Sequence, residues 1–143
     1  MRLQDSQANC GPSAARNALK ALGMDRSIPE LETLFKTDAT NGTSAANVVK
    51  GLKKLDDLQP QVIEESRPEV AHLLLAHVLH RGRPVLLCVD GWGHFVAAIG
   101  LLGGRVLVAD SADSELVLSY TMEEVMERWC CQGQRKAFWA VAL

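Results

Sequence analysis

The sequence carries no surplus of positive charge: 15 lysines and arginines stand against 17 aspartates and glutamates, for a formal net charge of -2. Its small basic groupings (Lys50, Lys53, Lys54; Arg81, Arg83; Arg135, Lys136) are scattered and read as solvated faces, which excludes nucleic acid as a partner. Long hydrophobic runs are missing too. Val85–Val89 and Phe95–Leu102 are bounded or interrupted by Asp or Gly, far short of the roughly 20 residues a membrane helix needs. The opening MRLQDSQANC has no apolar core and no small-residue cleavage site, so it is not a signal peptide, and a cytoplasmic location is expected. Cysteine is sparse, at positions 10, 88, 130 and 131. That is neither a disulfide framework nor the paired Cys-x-x-Cys of a zinc site. No linker, repeat or low-complexity segment occurs, and no metal or cofactor is expected.

What remains is an ordinary soluble composition, 48% hydrophobic and 22% charged over 143 residues, enough for a single domain over 1–143 with a respectable core. The first half has helical period. Asn9 is placed to cap a helix in which Ala14, Ala15, Ala18, Leu19 and Leu22 recur, with Pro12 in its first turn and Gly23 at its end. A short helix is expected from Pro29 to about Phe35. Another follows Asn41-Gly42-Thr43-Ser44 and carries Val48, Val49, Leu52 and Leu55, and a fourth spans residues 68 to 80. The second half changes to strands: Pro84–Val89, His94–Gly100, Arg105–Asp110, Glu115–Tyr120 and Ala137–Leu143. Between the last two, Thr121 and Glu124 form a capping box for a helix over Thr121–Trp129. The expected class is α+β, an N-terminal helical part packed on a mostly antiparallel sheet.

An early cysteine with a histidine far along the chain suggests nucleophilic catalysis. Cys10 opens the first helix, where a thiolate is stabilised by the helix's positive end and its unpaired backbone N–H groups. Asn9 and Gly11 on either side let the backbone come close to a substrate. The plainer alternative is a small hydrophobic residue at a helix start. His94 stands at the mouth of a strand in Gly91-Trp92-Gly93-His94, where the glycines give the ring room and Trp92 walls the site; the alternative is a core histidine satisfying itself. Asp110 ends the next strand, and a carboxylate there needs a partner or water. A hairpin turn centred on Leu102 pairs residues whose numbers sum to 204, setting Asp110 directly opposite His94. A two-residue turn at Gly103-Gly104 raises the sum to 207 and sets Asp113 there instead. Gln4, six residues before Cys10, is placed to donate to an oxyanion.

The run Gln4-Asp5-Ser6-Gln7-Ala8-Asn9-Cys10-Gly11-Pro12, with Gly93-His94-Phe95-Val96 and Val106–Asp110, resembles the bacteriocin-processing, double-glycine-leader cysteine peptidases of the papain-like superfamily. The likeness runs in order through nearly the whole chain. It implies a papain-like peptidase fold, Cys10 as nucleophile, His94 as base and then acid, Asp110 as orienter and Gln4 as oxyanion-hole donor. Asn9, Gly11, Trp92 and Gly93 would line the substrate cleft. Two positions depart from the family: Ser111 stands where Pro usually follows the aspartate, and Asn9 where Asp is frequent. The implied reaction is hydrolysis of a peptide bond through a thioester, with a leader peptide cut after Gly-Gly. Such peptidases often form part of an exporter with membrane-spanning and ATP-binding domains. None is present in these residues, which fits either an excised domain or a free-standing enzyme with another substrate.

Two other functions use the same residues: an acyltransferase or transpeptidase passing the acyl group to an amine, and a non-catalytic peptide binder. His77 and His80 share a helix face, but His72 is about 140° away and no carboxylate or cysteine sits at ligand spacing, so a solvated face is expected. Cys88 reads as core, and the adjacent Cys130 and Cys131 have poor geometry for a bridge.

Overall fold

In a computed structural model, the described residues are 10–37, 43–89, 94–110, 117–129 and 138–143. Helix α1 (Cys10–Ala21) stops where Gly23 takes φ +79°. The Gly23 amide donates to the Lys20 carbonyl and the Met24 amide to that of Leu19, both at 2.9 Å, the paired closure that a left-handed glycine permits. Helix α2 (Ile28–Leu34) is capped by the Ser27 hydroxyl and α3 (Ala45–Leu52) by that of Ser44. Leu55 falls beyond α3 but is still buried. Strand β1 (Gln61–Glu65) then precedes α4 (Pro68–His80), with Pro at its first turn. Five strands and a helix follow: β2 (Val85–Val89), β3 (His94–Leu102), β4 (Arg105–Ala109), β5 (Val117–Thr121), α5 (Met122–Trp129) and, last, β6 (Phe138–Ala142). At α5 the capping box forms in both directions. Glu124 N–H donates to Thr121 Oγ1 at 3.1 Å, and Thr121 N–H to Glu124 Oε1 at 2.9 Å.

The six strands form one sheet in the order β1-β6-β2-β3-β4-β5, with every pairing antiparallel. Strand β1 is an addition to the expected set. It lies at an edge and buries only Ile63 well, and the two glutamates that follow, Glu64 exposed and Glu65 paired with Arg67, hide the strand pattern. The expected helical layer is on one face, where α1, α2 and α3 pack over Leu86, Cys88, Phe95, Ala97, Trp139 and Val141. The other face is covered by α4 and α5 over Val85, Leu87, Val89, Val96, Val108 and Ala140. Successive residues of β2 thus enter opposite cores, which is why that strand is apolar throughout. Ala14, Ala15 and Ala18 are completely buried, and these small side chains bring α1 close against the sheet.

The hairpin differs from the register expected with a turn at Leu102. Gly103 (φ +59°) and Gly104 (φ +78°) form a two-residue turn, and Leu102 pairs with Arg105, Leu101 with Val106 and Gly100 with Leu107. The register then shifts, and Ala98 pairs with Val108 and Ala97 with Ala109, leaving Ile99 as the extra residue of a bulge. Extending this register places Val96 opposite Asp110. His94 is therefore one step further along the same face, a diagonal neighbour of Asp110 rather than a directly opposed one. Without the bulge the tight turn would put Asp110 opposite Ala97, on the wrong face of the sheet.

Candidate active site

Cys10 occupies the first turn of α1, where backbone N–H groups have no partner within the helix, and is 7% exposed. His94 is the first residue of β3 and pairs with Val89, whose side chain belongs to the α4/α5 core. The thiol thus comes from the helical layer and the imidazole from the sheet. His94 is 9% exposed and Asp110 3%. The His94 Nε2 lies 2.9 Å from Asp110 Oδ1. With Nε2 so engaged, Nδ1 is the ring nitrogen left to face the Cys10 side chain, the second contributor to the ring's raised pKa.

These contacts set the charge on the ring. His94 is raised from 6.5 to about 9, first by its hydrogen bond with Asp110 and next by that with Cys10, while burial opposes both. An imidazolium donates to both neighbours, to the carboxylate through Nε2–H and to the sulfur through Nδ1–H. Such a site can hold a proton beside a sulfur nucleophile and return it to a leaving group.

Arg128, in the last turn of α5, was not among the residues singled out from sequence. Its Nη1 lies 3.1 Å from Asp110 Oδ2, so the carboxylate is held at both oxygens. Its signal was available: Arg128 follows the buried Val125 by three residues and precedes the buried Trp129, a charge on the inward stripe of an amphipathic helix.

The Peptidase C39 family model matches residues 1–131, more than nine-tenths of the chain. The chain belongs to the peptidase C39 family. This C39 peptidase is accordingly a cysteine peptidase, a hydrolase. Solved structures share its fold. It matches the peptidase domain of Streptococcus ComA, a bifunctional ABC transporter of a quorum-sensing pathway, with TM-score 0.72 and 21% identity over 98% of this chain and 93% of that one. A double-glycine-motif protease from an AMS/PCAT transporter, in complex with the leader peptide, matches with TM-score 0.69 and 17% identity over 97% and 86%. A C39-like peptidase from Bacillus anthracis matches with TM-score 0.70 and 12% identity over 99% and 92%. No curated protein sequence matches the chain.

Of the positions named from the C39 resemblance, Cys10, His94 and Asp110 converge. Gln4, Asn9, Trp92 and Gly93, with the rival Asp113, lie outside the described residues. Gly11 is placed differently from the open backbone expected of it. It is buried, and a Cβ there would stand 2.9 Å from the Thr43 Cβ. Its missing side chain makes room for the chain's own Thr43 rather than for a substrate. His72, His77 and His80 are exposed on α4, and Cys88 is core at 3% exposure. Among the described residues, no helix is long and apolar enough to cross a membrane.

Proposed function

We propose that the peptidase works through a Cys10–His94–Asp110 triad and cleaves leader peptides after a Gly-Gly pair. The observation that carries this reading is the buried His94 ring, bonded on one side to the Asp110 carboxylate at 2.9 Å and on the other to the Cys10 thiol. His94 takes the thiol proton, and the thiolate attacks the scissile carbonyl. The tetrahedral oxyanion is met by the Cys10 N–H, free in the first turn of α1, and by the Gln4 amide. His94 then protonates the leaving amine, giving a thioester, and water activated by the same ring releases the acid. Asp110 keeps the ring in the orientation and tautomer both transfers require. The Gly-Gly preference follows from the family likeness and from the transporter peptidases whose fold the chain shares. On the same grounds the enzyme acts beside, or as part of, an exporter.

Synthetic leader-type peptides ending their leader in Gly-Gly, Ala-Ala or Gly-Leu test the reading, with products identified by mass spectrometry. Wild type is expected to cut after Gly-Gly alone, and Cys10→Ala to cut nothing. Cleavage by Cys10→Ala would remove the triad, and equal cleavage of all three peptides would remove the specificity. An added amine that captures the acyl group in place of water would reassign the enzyme to acyl transfer.

A further inference from the structure

Asp110 presents two carboxylate oxygens at the buried end of β4. Oδ1 meets His94 Nε2 at 2.9 Å, and Oδ2 meets Arg128 Nη1 at 3.1 Å. The arginine reaches this point from a helix fixed at both ends. The capping box secures the start of α5, and Trp129, next to Arg128, donates its indole N–H to the Trp139 carbonyl at 2.8 Å. The Arg128 side chain is only 29% exposed and borders an apolar recess formed by Leu87, Val96, Val108 and Val125, with room for about one water. Charge placed on the carboxylate here is weakly screened.

We propose that Arg128 is a positioning residue: it fixes the Asp110 carboxylate as an anion in one rotamer, with Oδ1 turned to His94, and so aligns the ring that serves Cys10. This deepens the triad reading and rests on it. A carboxylate beside an imidazolium can rotate about χ2, or take the Nε2 proton for itself. A guanidinium on Oδ2 opposes both, because it binds the charged form and sets the plane of the group. Arginine suits this task better than lysine, whose ammonium is a point charge without a planar fork. The competing role is a structural tie between α5 and β4, which would support stability without reaching the thiol.

Alkylation of Cys10 by iodoacetamide separates the two roles. The rate is followed from pH 5 to 10 and assigned to Cys10 by peptide mass spectrometry, beside a thermal melt of each variant. Arg128→Met keeps the aliphatic stem packed and removes the charge, Arg128→Lys restores charge alone, and His94→Ala supplies the profile of an unassisted thiol. Arg128→Met is expected to lose roughly tenfold of the His94-dependent alkylation near pH 7 and to move toward the His94→Ala profile. Arg128→Lys should recover part of that loss. Thr121→Ala, which cuts the α5 cap, should lower the melting temperature and leave the profile in place. A folded Arg128→Met with the wild-type profile would overturn the proposal. Should Arg128→Met fail to fold, Arg128→Lys decides: a profile between those of wild type and His94→Ala supports it, and one coinciding with wild type overturns it. If wild type and His94→Ala already coincide, the triad itself fails, a different outcome from failure of the Arg128 role.

Discussion

Replacing Asp110 by asparagine removes one charge from the buried end of β4 and almost no volume. The rise of His94 from 6.5 to about 9 amounts to roughly 3 kcal/mol in favour of the imidazolium, at about 1.4 kcal/mol per pH unit. The hydrogen bond with Asp110 is the largest cause of the rise, and the carboxylate's charge adds to it. An asparagine oxygen can still accept from Nε2–H but carries no charge, so the largest cause of the rise is weakened and the ring should lose its proton at lower pH than in wild type. The sign follows directly. A raised value means the imidazolium survives to higher pH, so the variant loses it on the alkaline side and keeps it in acid. At pH 8.5 about three-quarters of wild-type rings carry the proton, and loss of one pH unit of the rise cuts that roughly threefold, while at pH 6.5 both proteins stay at least about half protonated. The kcat/KM on a Gly-Gly peptide should therefore show a wild-type-to-variant ratio larger at pH 8.5 than at 6.5, by roughly threefold for each pH unit lost, on top of any pH-independent loss of orientation. NMR titration of the His94 ring, assigned with a His94→Gln sample, reads the same change without substrate. A ratio equal at both pH values, with an unmoved titration, would refute the assignment of the ring's charge to Asp110. Asp113→Asn is the matched control and should change neither readout.

Cys10→Ala and His94→Ala should each abolish turnover while the far-ultraviolet circular dichroism stays near wild type; Cys10→Ala should keep the melting temperature as well, and His94→Ala should lower it because Asp110 loses a buried partner. Gly51→Ala should destabilise by about 1–3 kcal/mol in denaturant melts. A Cβ there would stand 2.4 Å from the Phe35 ring, which is fully buried and has nowhere to retreat. Deleting Ile99 removes the bulge and returns β4 to the parity of its tight turn. Asp110 then turns away from His94, and the expected result is a loss of activity of at least about 10²-fold, with the His94 titration moving toward 6.5; retention of full activity would refute the bulge register.

Legibility in the sequence followed how local each determinant is. The α1 alanines and the Thr121–Glu124 box are written within a few residues, and the corresponding elements formed close to where they were expected, whereas the tight Gly103-Gly104 turn was the alternative to the expected turn at Leu102. The convergence of Cys10, His94 and Asp110 came from residue types and family likeness, and the pairing arithmetic offered for it was wrong. That arithmetic failed because the first half of β3 is buried on both faces. Where both faces are apolar, a slip of one residue leaves the pattern unchanged, so the extra residue at Ile99 had no compositional trace. Strand β1 was missed for the reverse reason. At a sheet edge only Ile63 needs an apolar partner, and the flanking glutamates look like those of a loop. Arg128 was overlooked because its partner lies 18 residues earlier, on another element.

Because the sulfur rides on one layer and its base on another, the reactive distance is also the thickness of the seam between helix and sheet. That seam is filled by Ala14, Ala15 and Ala18, none of which leaves any surface open. A methyl-sized wedge at any of them lifts the helix by a fraction of an ångström, an amount a folded protein tolerates and a proton transfer does not. Catalysis in this molecule should therefore fail at smaller displacements than folding does, and turnover becomes the more sensitive gauge of how tightly the two layers are pressed together.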